Sequence, residues 1–103
     1  MARLAAADLV AATNTTVYTV PTNRRAVFTI SLCNRNATAQ RLVRVALQNG
    51  ALSNSDYIEY DAILPAGGVL ERSGVMLTSG QVLMARADAA DVSCVVYGIE
   101  EQT

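Results

Sequence analysis

Four carboxylates, Asp56, Glu59, Asp61 and Glu71, fall in one short stretch of the chain. Glycoside hydrolysis needs little more than two carboxyl groups held at a fixed separation across a sugar. The cleft that holds the sugar is normally walled by aromatic platforms, however, and this chain has no tryptophan and only four tyrosines. Acidic residues at alternate positions, such as Glu59 and Asp61, ordinarily mark the solvated face of a strand. A calcium site built from the same oxygens would require a spaced acidic loop, and no such loop is present. The sequence has no histidine, which removes Ser-His-Asp and Cys-His catalysis and histidine-ligated metals. Cys33 and Cys94 are too few and too far apart for a zinc knuckle. They are expected as two buried thiols acting as small hydrophobes. The stretch "PAGGVLERSG" holds Gly67, Gly68 and Gly74 but neither the lysine nor the helix of a phosphate loop, and it reads as a hairpin turn. No catalytic residue, cofactor or metal is expected.

Net charge is −1 over 103 residues, too little positive charge for binding nucleic acid through its phosphates. All eight cations are arginine, the cation better suited to forked contacts with carboxylates inside protein interfaces. Arg24 and Arg25 at a turn, with Arg41 and Arg44 at the start of a strand, could form a basic spot or pair with Glu59, Asp61 or Glu71. No apolar run reaches the length of a membrane span. Asp8 interrupts the apolar N-terminal stretch, so an intracellular product is expected rather than a secreted one. Neither nucleic acid nor membrane is an expected partner.

The elements that position these residues follow from alternation and turn chemistry. Turn signals recur at Pro21-Thr22-Asn23, Asn34-Arg35-Asn36, Asn49-Gly50, Ser53-Asn54-Ser55, Pro65-Ala66-Gly67-Gly68, Ser79-Gly80 and Asp88-Ala89-Ala90-Asp91. Between them lie strand-length runs at 16–20, 26–34, 42–48, 57–64, 69–77, 81–87 and 92–99, with no room for crossover helices. The fold class expected is all-β: a single antiparallel β-sandwich, jelly-roll or Ig-like, of seven to eight short strands. Phe28, Ile30 and Leu32 should face the core, as should Val43, Val45 and Leu47, and Ile58 and Tyr60. Glycine in the middle of the 69–77 run predicts a bulge or a break at Ser73-Gly74.

Two segments point to assembly. In "VSCVVYGIE" both parities are apolar, Val92, Cys94 and Val96 on one side and Val95, Tyr97 and Ile99 on the other. A sandwich covers only the inner side, so the outer one calls for an N-terminal arm or a neighbouring subunit. Residues 1–13 read as that arm, extended and dispensable for folding, with 14–103 as the sandwich domain. The candidate assembly contacts are Leu4, Leu9, Val10, Val95, Tyr97 and Ile99.

"NTTVYTVPTNRRAVFTISLCNRN" together with "YIEYDAILPAGGVLERSGVMLTSGQVLMARADAADVSCVVYGIEE" resembles small virion-associated proteins of tailed bacteriophages. The shared layout is a Tyr-Thr-Val-Pro strand and turn, a strand ending in Cys-Asn-Arg, a Leu-Pro-x-Gly turn, a Ser-Gly-Gln step and a terminal Val-Val-Tyr-Gly strand. The resemblance implies a non-enzymatic module made in the bacterial host cytoplasm and located in the virion. It implies a homo-oligomer, dimer or trimer, bound to other virion proteins, foremost the major capsid protein. A capsid decoration (cement) protein is the leading expectation. A tail, baseplate or fibre-network accessory protein is the alternative, with a carbohydrate- or receptor-binding module among its forms.

Overall fold

The computed structural model describes residues 2–103; Met1, the first residue of the expected arm, lies outside them. Eight strands follow in order: β1 (Ala2–Asp8), β2 (Thr15–Thr19), β3 (Arg24–Asn34), β4 (Arg41–Gln48), β5 (Tyr57–Leu64), β6 (Val69–Thr78), β7 (Val82–Ala87) and β8 (Val92–Gln102). One turn of 3-10 helix, Asn54–Asp56, precedes β5. The strands form two antiparallel four-stranded sheets, a front sheet ordered β1-β8-β3-β6 and a back sheet ordered β2-β7-β4-β5. The chain is thus a β-sandwich, as its alternation predicts.

Each strand pairs across the fold, β1 with β8, β2 with β7, β3 with β6 and β4 with β5, as if one long hairpin had been wound over itself. Only β4 and β5 are both consecutive and paired; every other connection crosses between the sheets. An immunoglobulin-type sandwich instead keeps its first two strands in one sheet. The crossings explain the turn residues. Asn23 takes φ 63° where the chain leaves the back sheet for the front, and Gly80 takes φ 80° at the return, a region of backbone that Asn and Gly enter most readily. Pro65-Ala66-Gly67-Gly68, expected to close a hairpin, also joins the two sheets. Its carbonyl at Pro65 accepts from Gly68 N at 2.8 Å.

Phe28, Ile30, Leu32, Val43, Val45, Val92, Cys94 and Val96 fill the space between the sheets, joined by Leu64, Leu77 and Leu83. Leu47 packs at the margin of this core, half-buried. Ile58 and Tyr60, expected inside, are exposed. Two register shifts between β4 and β5, flanking Val45, break the alternation, and Asp61 sits in the left-handed region at φ 52°. Glu59 turns inward instead and pairs with Arg72 of β6, joining the free edges of the two sheets. The Ser73-Gly74 bulge occurs as expected, opposite the register shift between Phe28 and Ile30, with Gly74 at φ 69°.

The 1–13 segment is more than an arm. Ala2–Asp8 is an edge strand hydrogen-bonded to β8, and Leu9 is buried in the core with its N–H donated to the Val92 carbonyl at 2.9 Å. β1 lies beside β8, so it leaves the outer side of β8 uncovered.

Candidate assembly surface

The Cys-Asn-Arg-Asn stretch shows how local chemistry fixes the frame. Asn34 is fully buried at the end of β3. Its Nδ2 lies 2.9, 3.2 and 3.1 Å from the carbonyls of Ala39, Leu64 and Pro65, and its Oδ1 accepts from Asn36 N at 3.0 Å. Asn36 Oδ1 in turn accepts from Thr38 N and Ala39 N, and Arg35 pairs with Asp8 at 2.7 Å. These contacts tie both sheets and the β5–β6 crossing to one corner. Gly98, in the terminal Tyr-Gly pair, faces the backbone of β3: a Cβ there would stand 2.2 Å from the Val27 carbonyl oxygen. Only glycine lets β8 lie this close at that point.

With β8 and β3 so registered, the outer side of the front sheet is defined. Val27 of β3 is the direct cross-strand partner of Ile99 on β8 and of Met76 on β6. The three side chains form one apolar row across the sheet, exposed by 42%, 50% and 58% respectively for Val27, Ile99 and Met76. On one side of the row lies the Arg25–Glu101 ion pair, 3.0 Å. On the other, half-buried Tyr97 donates from its hydroxyl to Glu71 at 2.8 Å, and that carboxylate holds the phenol above its usual pKa. Val95 follows, half-buried, two residues before Tyr97. An apolar strip between polar margins is the anatomy of a protein-binding patch.

Of the six expected contacts, Val95, Tyr97 and Ile99 share this face. Leu4 is half-buried at the margin of the core, Leu9 is wholly within it, and Val10 is exposed at the β1–β2 turn, at the far end of β8 from Ile99. Val27 and Met76 were missed. Val27 has the same parity as Thr29, Ser31 and Cys33 and was legible by alternation; Met76 lies beyond the β6 bulge, and its alignment with Val27 is a matter of register.

The expected basic spot does not form: Arg25 pairs with Glu101 on the front sheet, whereas Arg44 pairs with Asp61 on the back. The four carboxylates also disperse. Asp56 accepts from Ser53 N in a capping box, Glu59 pairs with Arg72, Asp61 with Arg44, and Glu71 accepts a hydrogen bond from the Tyr97 hydroxyl. Cys94 is buried, and burial pushes its thiol up to about 12, whereas Cys33 is half-exposed on the outer face, contrary to expectation. The thiols lie on adjacent strands but opposite faces, and both are free.

Over 99% of its length the chain superposes on 91% of a chain in the acidic stable capsid structure of Helicobacter pylori bacteriophage KHP30, with a TM-score of 0.53 and 18% identity. The two share a fold. A pentameric capsid protein isolated from metagenomic phage sequences aligns more distantly, with 17% identity and a TM-score of 0.49 over 94% of this chain and 63% of that one. No protein-family model and no curated protein sequence matches.

Proposed function

We propose that the chain is a non-enzymatic structural protein of a phage virion, and specifically one that decorates the assembled head. The observation that carries this reading is the apolar row Val27–Met76–Ile99, set in a rigid sheet between polar margins. Two further observations support it. We read the strand order as that of a jelly roll, an architecture common in viral capsid domains, and the fold is shared with a chain of a phage capsid.

In this reading the row seats on neighbouring virion proteins, the major capsid protein and further copies of this chain among them. Each of the three side chains is about half exposed, so burying it contributes on the order of 1 kcal/mol. That is slight for one site. A protein that binds only the assembled lattice favours that lattice at every copy, so the contributions accumulate by mass action without any covalent step. The test is a pair of particle preparations, from a genome carrying this reading frame and from one with the frame deleted. Heads lacking the protein should rupture at lower temperature and recover when the purified chain is added back, but not when Val27→Asp is added. Unchanged rupture temperatures, or purified particles free of the protein, would overturn the proposal.

A further inference from the structure

The opposite face of the molecule carries an aromatic site that the assembly reading does not use. Asn54, Tyr57 and Tyr60 line a shallow cavity of about 350 Å³ on the outer side of the back sheet. Its frame is fixed. The Ser53–Asp56 capping box holds the 3-10 turn that carries Asn54, with Ser53 N donating to Asp56 Oδ2 at 2.9 Å and Ser55 N donating to Ser53 Oγ at 3.2 Å. The register shifts of β5 bring Tyr57 and Tyr60, three residues apart, into an edge-to-face pair with ring centroids 4.9 Å apart. Arg44 lies 4.1 Å from the Tyr60 ring centre, and Asp61 clamps it through two hydrogen bonds of 2.7 and 3.2 Å.

Tyr60 is nevertheless 60% exposed. A large ring immobilised on its own sheet yet open to solvent is preorganised for a ligand, because the entropy of ordering it is already spent in the fold. The site's chemistry narrows the ligand. An aromatic surface takes the C–H face of a ring, while the amide of Asn54 and the phenols of Tyr57 and Tyr60 can exchange hydrogen bonds with hydroxyls. The guanidinium of Arg44 is engaged by Asp61, and Arg86, its cross-strand partner, is not among the residues that line the cavity, so no charged side chain forms its wall to attract an anion. The geometry points to a binding site for a neutral saccharide, one or two sugar rings in size, at Asn54, Tyr57 and Tyr60. This does not depend on head decoration, since the apolar row lies on the other sheet.

The test is saturation-transfer NMR of the full chain with glucose, galactose, mannose, rhamnose, N-acetylglucosamine and N-acetylgalactosamine, with glucuronate and sialic acid as anionic counterparts. At least one neutral sugar should bind, with a Kd on the order of 1 mM. Tyr60→Ala should weaken that binding by about tenfold or more, Tyr60→Phe and Asn54→Ala by less, and Val27→Thr on the opposite face should leave it unchanged. Absence of transfer from every neutral sugar, binding confined to the anionic ones, or equal binding by folded Tyr60→Ala would overturn the assignment. So would capture of a protein at Tyr60 that no sugar competes away.

Discussion

Replacing Asn34 by leucine tests whether a single buried amide holds the corner of this sandwich together. The two Nδ2 hydrogens are shared among the carbonyls of Ala39, Leu64 and Pro65, and Oδ1 holds the Asn36 N–H. Leucine keeps the branched outline, with some added bulk, and removes all of these hydrogen bonds. The loss amounts to two donors and one acceptor, each with a net contribution of about 1 kcal/mol, and the buried backbone groups left behind raise the total to about 3–5 kcal/mol. For a domain whose whole stability is of the order of 5–15 kcal/mol, that is a large fraction. Urea denaturation followed by circular dichroism should show a midpoint reduced accordingly, with the slope unchanged. A loss below about 1 kcal/mol would refute the reasoning, since it would mean that water or a rearranged loop satisfies these groups equally well.

Gly98→Ala places a Cβ 2.2 Å from the Val27 oxygen and 2.6 Å from the Phe28 Cα, both backbone of a central strand, so a loss of about 3 kcal/mol is expected in the same denaturation assay; unaltered stability would contradict the close approach. Deleting residues 1–12 removes β1 and the buried Leu9 and should abolish the cooperative unfolding transition; a truncated chain with an unchanged midpoint would show that the segment is dispensable after all. The Arg44 hydrogen bonds hold the Asp61 carboxyl below its usual range, so the stability gap between the native chain and Asp61→Asn should be constant near neutral pH and close as the pH falls below about 4. Burial, with Glu100 as hydrogen-bond partner, pushes the Tyr18 phenol upward, so the gap to Tyr18→Phe should persist below pH about 10 and vanish only as the pH rises through the folded value; a pH-independent gap in either pair would contradict these assignments.

Alternation made much of the fold legible. Phe28, Ile30 and Leu32 face inward as a regular strand requires, and Gly74 marked its own bulge. It failed at β5, where the irregularity rests on Asp61, a residue whose left-handed backbone no side-chain pattern announces. β1 was hidden for a different reason. A run of alanines has little amphipathic contrast, and Ala5 and Ala7 gain their inward position from pairing with β8. The candidate surface divides the same way: Ile99 and Val27 follow from parity within a strand, whereas their alignment with Met76 is set by register between strands. Tyr57 and Tyr60 would oppose each other in a regular strand, and only the register shifts bring them together.

In a virion, the outer face of the front sheet is expected to be covered by other protein molecules. A cryo-EM map of intact particles from a genome carrying this reading frame tests that directly. The prediction is density for the sandwich on the head, with Val27, Met76 and Ile99 pressed against a neighbouring chain. Density in which that row faces open solvent, or particles that lack the chain, would contradict it.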